Sequence, residues 1–431
     1  MRVCVLGLWH LGTVTAAGLA QAGHQVIGVD FDAARVADLS AGVAPVFEPG
    51  LEDLLRRGLS SGRLRFARPD EGLPTAQIVW AAGDTPVDDE DEADADFVIA
   101  QIERVLPGMN ADSVLLVSSQ LPVGSIRRLE QAAAAQGAAV RVACCPENLR
   151  LGSAVNDFLH PERLIVGVRC EADRQLLSEL LSPIAPSIEW MSVESAEMTK
   201  HAINAFLATS IAFANEIAGL CEAVGADAAD VERGLKSERR IGPGAYLSPG
   251  GAFSGGTLAR DVALLGRTSL AHEVAIPLLS AVLPSNNLHK HWARRKLRSH
   301  CADLRRTTVA VWGLTYKPGT DTLRRSLAVE LCDWLLAEGA AVRVHDPMAK
   351  DLPPGWSGAV TRLADPLAVA AGADALVIAT GWPEYRGVSA DQLLECCEQL
   401  LVLDANRLAP QLAARPDRLK YLAVGMPDPD A

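Results

Sequence analysis

MRVCVLGLWHLG (1–12) is the stretch on which the fold of this chain turns, read together with Asp30, 23 residues after Gly7. Residues 3–6 form an apolar run of the kind found in a buried strand. Gly7-Leu8-Trp9-His10-Leu11-Gly12 then opens a segment of helical period, and 25–29 returns as a second strand ending at the acid. Strand, glycine turn, helix and strand with a terminal carboxylate is the context of a dinucleotide fingerprint. The turn lets a pyrophosphate approach a helix N-terminus, and the carboxylate takes the adenosine ribose hydroxyls. Asp30 would repel a 2'-phosphate, so the expected cofactor is NAD. Trp9 stands where a glycine normally lets the backbone approach the pyrophosphate, so the reading expects binding there to be shifted or weakened. Taken alone, the same turn also serves a doubly wound sheet that needs it only for packing.

Working outward, strand-like runs at 78–82 and 113–117 alternate with Ala/Leu/Glu/Arg-rich helical segments up to about residue 190, as in repeated β-α units. From about 195 to 298 the pattern is helical, broken by a Gly- and Pro-rich loop at 242–256. At about 307, TTVAVWGLTYK starts a second alternating segment, with a helix expected over 327–338 and a strand over 341–345. The expected fold class is α/β, with two Rossmann-like doubly wound domains joined by a central helical region. The expected boundaries are 1–195, 196–304 and 305–431.

The composition agrees with this size. A chain of 431 residues, 49% hydrophobic and 22% charged, can bury large cores in two or three domains. Its 53 acidic and 40 basic residues leave a formal charge of -13, which argues against nucleic acid as a partner. WARRKLRSHCADLRR (292–306) accordingly reads as a solvated connecting helix rather than an RNA-binding patch. The N-terminal residues enter a strand at once, without the regions of a secretory signal, and the sequence reading finds no apolar stretch long enough to span a bilayer. The nine cysteines are scattered and odd in number, without paired zinc-site spacing, and read as reduced thiols of a cytoplasmic protein. No metal site is expected, and His289-Lys290-His291 reads as a helix surface.

Seven further segments carry a resemblance. They are VFEPGLEDLL (46–55), GDTPVDDEDEADADFV (83–98), SSQLPVGS (118–125), PENLRLGSAVNDFLHPERLIVG (146–167), AEMTKHAINAFLATSIAFANEIA (196–218), RIGPGAYLSPGGAFSGGTLARDV (240–262) and GLTYKPGTDTLRRS (313–326). In this order, and over nearly the whole chain, they closely resemble the UDP-glucose/GDP-mannose dehydrogenase family. The resemblance implies NAD on the N-terminal domain, a nucleotide-sugar held from the central and C-terminal parts, and a homodimer formed through the helical middle. It further implies two NAD-dependent oxidations of a sugar primary alcohol at C6, through an aldehyde and a covalent thioester to the acid.

Carried over residue by residue, the resemblance assigns Lys200 and Asn204 to the developing oxyanion. They lie four apart, on one helical face, where both can donate. Glu147 matches the carboxylate that assists hydrolysis of the acyl intermediate, and Asp261 the aspartate that positions a water as base. Arg240, Lys317 and Arg324 resemble the basic residues that meet the sugar-nucleotide phosphates or base. Phe253, Gly255, Tyr246 and Leu149 resemble the wall around the sugar. Thr85 and Gln120 join Gly7, Trp9, His10, Leu11, Gly12 and Asp30 on the cofactor side.

The pattern departs from the family at the centre of its chemistry. Where the family loop reads GFGGSCFPKD, this chain has Ala252 to Asp261, AFSGGTLARD, so the nucleophilic cysteine is Thr257. A thiol is partly ionised near neutral pH, whereas a threonine hydroxyl needs a positioned base. Gln120 stands for a threonine, Leu151 for a glutamate and Arg260 for a lysine. Three routes follow. Hydride loss can stop at the aldehyde, the hydrated aldehyde can lose a second hydride with Glu147 as base, or Thr257 can form an ester. Cys144 and Cys145 read as buried structural thiols, with a replacement nucleophile as the alternative. The competing functions are a catalytically silent nucleotide-sugar or dinucleotide binder and a dehydrogenase for another substrate in specialised metabolism.

Overall fold

The computed structural model describes residues 1–88, 93–146, 149–254 and 256–428. The chain divides into two compact units, Met1–Ile203 and Asn204–Ala431.

In the first unit, β1 (Arg2–Leu6), β2 (Gln25–Val29), β3 (Leu64–Ala67), β4 (Ile78–Ala81), β5 (Val114–Val117), β6 (Arg141–Cys144), β7 (Leu164–Gly167) and β8 (Ile188–Met191) form one sheet. Their order is β3-β2-β1-β4-β5-β6-β7-β8. Strands β1, β4 and β5 are apolar at nearly every position because helices cover both faces, the usual state of a parallel sheet. One face packs Val5, Leu8, Leu19, Leu55 and Trp80; the other packs Leu6, Val29, Ile99, Ile102 and Leu115. The β6 to β7 pairing is antiparallel, at Cys144 and Gly167, and the segment joining the two strands carries the short helix Ala154–Leu159. Helix α1 (His10–Gln21) follows β1 directly and is buried along most of its length.

In the second unit, β9 (Thr308–Trp312), β10 (Ala341–His345), β11 (Val360–Arg362), β12 (Ala375–Ile378), β13 (Leu400–Leu403) and β14 (Leu419–Leu422) form a wholly parallel sheet ordered β11-β10-β9-β12-β13-β14. The helix expected over 327–338 is Leu327–Ala337, started by Ser326, whose hydroxyl accepts from the Ala328 and Val329 N–H groups. Both sheets switch direction of strand order beside their first strand. That is where a doubly wound fold opens a crevice for ligands.

The helical middle begins with α2 (Val193–Val224), 32 residues long, and continues with α3 (Thr257–Ala271). Here one sequence expectation is corrected: α2 is long and apolar enough, by length and composition, to cross a membrane. Polar and charged residues recur along the helix, among them Glu197, Lys200, Asn204 and Asn215, and break up the apolar run in the sequence. Those residues have protein partners. Glu197 accepts from the Gly124 and Ile126 N–H groups at 2.9 and 3.0 Å, and Asn215 accepts from the Gly250 N–H at 3.0 Å. Such bonds mark a helix packed in protein. The basic stretch begins as the helix Trp292–His300. Lys296 pairs with Glu222 at 2.9 Å, and the Arg294 and Arg298 guanidinium groups lie 5.6 and 5.2 Å from the Trp334 ring.

Candidate active site

At the β1–α1 turn Gly7 has φ of 89°, a left-handed conformation that suits glycine, and its N–H donates to the Val29 carbonyl at 3.0 Å. A Cβ on Gly12 would fall 1.6 Å from the Gly7 carbonyl oxygen, so the last glycine of the fingerprint is required by close packing of the turn. Trp9 is the N-cap residue of α1 and makes no side-chain cap. The cap comes from elsewhere: Leu11 N–H donates to Asp84 Oδ2 at 3.1 Å.

Asp30 directly follows β2 and is buried. It accepts from Leu8 N–H at 2.7 Å, from Asp32 N–H at 2.9 Å and from Arg35 Nη1 at 3.0 Å. The Arg35 guanidinium also lies 5.2 Å from the Trp9 ring centroid, so Trp9 folds over the residue that pairs with Asp30. These groups line a cleft of about 320 Å³ with Gly7, Gly83, Phe97 and Ser119. The Ser119 hydroxyl is buried there without a hydrogen-bond partner. A buried orphan donor, an acid with acceptor capacity left over and a glycine turn fit the adenosine and pyrophosphate of a dinucleotide.

The other expected cofactor residues are held by bonds to residues distant in the chain. Thr85 Oγ1 donates to the Gln120 carbonyl at 2.7 Å, which brings those two together. His10 Nε2 lies 2.9 Å from Glu48 Oε2, and buried Glu48 also accepts from the Gly152 and Ala154 N–H groups at 2.8 and 2.9 Å. Glu48 sits inside the quoted segment 46–55, yet its role as an anchor for His10 was not readable there.

Lys200 is buried at 7% exposure. Burial pushes the pKa of the neighbouring Cys144 thiol well up, Glu197 and Cys145 push it further, and Lys200 opposes them. A thiol so held is a poor nucleophile, which supports the structural reading of Cys144. One turn after Lys200 on α2, Asn204 Nδ2 donates to Asp261 Oδ2; Asp261, on α3, is 1% exposed. Thr257, at the start of α3, is exposed. On that helix Arg260 has its guanidinium pKa lowered by burial, with Asp261 opposing. A Cβ on Gly256 would lie 3.6 Å from Tyr316 Oη and 3.8 Å from Arg325 Nη1.

The Gly-rich loop is pinned by residues the sequence reading missed. Buried Asn286 holds Phe253 through both backbone groups, at 3.0 and 2.7 Å. Asn406 accepts from Gly251 N–H at 2.7 Å. His289 Nε2 lies 2.7 Å from the Gly250 carbonyl, so this histidine is a loop anchor and not part of a bare helix surface. Arg240, exposed, pairs with Glu238 at 2.9 Å; Tyr246 and Arg324 are exposed, and Lys317 and Leu149 half-buried. Glu147 and Gly255 lie outside the described residues.

Three family models match in order: the NAD binding domain of the UDP-glucose/GDP-mannose dehydrogenase family over residues 1–185, its central domain over 194–288 and its UDP binding domain over 310–410. The chain belongs to this family. As a nucleotide-sugar dehydrogenase of this kind it uses NAD. It is 36% identical to UDP-glucose 6-dehydrogenase of Pseudomonas aeruginosa over 449 aligned residues, covering 100% of this chain and 98% of that one. A UDP-glucose dehydrogenase structure from the archaeon Pyrobaculum islandicum superposes with a TM-score of 0.86 at 33% identity, covering 98% of this chain and 97% of that one. A UDP-D-ManNAc dehydrogenase from Pyrococcus horikoshii shares the fold, with a TM-score of 0.83 at 24% identity and 99% of each chain covered.

Proposed function

We propose that this nucleotide-sugar dehydrogenase oxidises UDP-glucose or a related UDP-hexose at C6, without a covalent intermediate at Thr257. The observation that carries the reading is the partly buried hydrogen bond between Asn204 and Asp261, residues 57 apart in the chain that the resemblance assigns separately to one reaction. The UDP-glucose dehydrogenases among its relatives support the choice of sugar.

NAD, when bound, supplies the hydride acceptor. As hydride leaves C6 its hydroxyl proton must leave too, and Asp261 takes that proton through a water. Lys200 and Asn204 donate to the oxygen as charge develops on it. Asn204 also orients Asp261 through the bond they share. This two-electron step yields the aldehyde and asks nothing of Thr257. Water adding to the aldehyde gives a gem-diol, and loss of a second hydride from it gives the acid, with Glu147 as the base. Arg240, Lys317 and Arg324 hold the nucleotide, and Phe253, Gly255, Tyr246 and Leu149 the sugar.

The test is NADH formed per UDP-sugar consumed, with mass spectrometry of the products, for the wild-type chain, Thr257→Ala and Asn204→Ala. The reading expects Thr257→Ala to keep the first oxidation and Asn204→Ala to lose turnover by about a hundredfold with little change in sugar binding. Two NADH per sugar with acid means the hydrate route completes, and one NADH with aldehyde means it stops early. A folded Thr257→Ala chain that makes no NADH would overturn the non-covalent assignment. No turnover across a panel of UDP-hexoses would favour the silent binder.

We keep the functional division 1–195, 196–304 and 305–431, place the enzyme in the cytoplasm, and infer a homodimer through the middle region. Phe206, Phe213 and Leu220 recur every seven residues on α2 and are 70%, 44% and 63% exposed, an apolar stripe suited to a second copy. Sedimentation should give twice the chain mass at micromolar concentration; a monomer there would remove the dimer.

A further inference from the structure

We infer that Asp84 sets the affinity of the cofactor cleft by holding its own carboxylate on the helix N-terminus where the NAD pyrophosphate would lie. The inference rests on NAD binding at this turn. Four observations meet at the site. Trp9, the N-cap residue of α1, makes no side-chain cap, so the first turn takes its acceptor from a distant residue. That acceptor is Asp84, bonded to Leu11 N–H at 3.1 Å from 73 residues away. Asp84 lines the same cleft as Gly7, Trp9 and Asp30. Ser119 lines it too, and its Oγ is buried, at 8% residue exposure, and has no partner.

Helix N-termini attract anions because free N–H groups and the helix dipole point outward together. In this chain the attraction is already met by an internal carboxylate. A dinucleotide brings two negative phosphate groups to the same turn, and like charges at close range exclude one another. Asp84 must therefore release Leu11 before the pyrophosphate can take its place. Its carboxylate acts as an internal competitor, while Ser119 waits as an unused donor. The cost falls only on ligands that carry the pyrophosphate, because adenosine reaches Asp30 without entering the turn.

The experiment is calorimetric titration of the full chain with NAD and with ADP-ribose, and ligand-observed NMR with adenosine, for wild type, Asp84→Asn and Asp84→Ala. Both variants should bind NAD and ADP-ribose about tenfold more tightly, the scale of one helix-terminus charge contact, with adenosine unchanged. Asp84→Ala should also lower the melting temperature of the free chain, since the cap is lost, and Asp84→Asn guards against a variant that fails to fold. Unchanged or weaker NAD binding in folded variants would overturn the inference, as would equal tightening for adenosine. Failure of NAD to bind even wild type would overturn the cofactor reading beneath it, and this inference with it.

Discussion

The two sheets repeat one device with opposite results. Gly7 and Gly313 have φ of 89° and 88°, and their N–H groups donate to the last strand residue next door, Val29 at 3.0 Å and His345 at 2.8 Å. The following leucine in each case donates to an aspartate at 2.7 Å, Leu8 to Asp30 and Leu314 to Asp346. There the likeness ends. Asp346 also accepts from Thr315 N–H, Thr315 Oγ1 and Trp382 Nε1 at 2.9, 3.1 and 3.1 Å, and from Met348 and Ala349 N–H at 2.9 and 2.8 Å. A carboxylate offers about four lone-pair sites, so Asp346 is saturated from within, whereas Asp30 keeps capacity for a ribose. The same topology thus leaves one acid open, the one we propose meets the cofactor, and closes the other as a structural pin. Function follows the side chains around the turn, not the turn itself.

Asp346→Asn is the sharpest way to break the comparison. It should cost about 3 kcal/mol of stability, because one carboxylate oxygen becomes a donor facing buried N–H groups, while leaving NAD affinity unchanged; thermal melting and calorimetry read the two effects. The pH dependence has a definite sign. Burial would raise the Asp346 pKa, but the N–H groups of Leu314, Thr315, Ala349 and Met348 outweigh it and hold the carboxyl below its ordinary range. Its stabilisation is therefore present above the ordinary aspartate range and lost as pH falls through the lowered folded value, and Asp346→Asn should flatten that acid limb. A variant as stable as wild type would show that the saturated network adds nothing.

Asp30→Asn should do the reverse on a smaller scale: NAD affinity falls about tenfold and stability by only about 1 kcal/mol. Equal stability losses in the two variants would erase the distinction between cofactor acid and pin.

Much of this was legible beforehand where the signal is local. Val3 to Leu6 are consecutive apolar residues, Gly7 is the one side-chain-free position at the strand end, and Asp30 follows at dinucleotide spacing, so the strand, the turn and the acid could be read together. Lys200 and Asn204 were singled out by the family resemblance, and helical periodicity adds only that residues four apart share one face. Asn215, Asn286, Asn406 and His289 carry no such signal. Each looks like an ordinary polar residue until the chain brings it to the loop, Asn406 from 155 residues away.

The sequence by itself therefore determined the two β-α frameworks, the helical middle, the family and NAD, because strand and helix periods, glycine turns and ordered motifs are written in neighbouring residues. Only the tertiary structure decided which aspartate stays open and which is closed, and which carboxylate caps α1. Those outcomes depend on hydrogen bonds that span 31 to 36 residues at Asp346 and 73 at Asp84, distances over which local pattern carries no information about who meets whom.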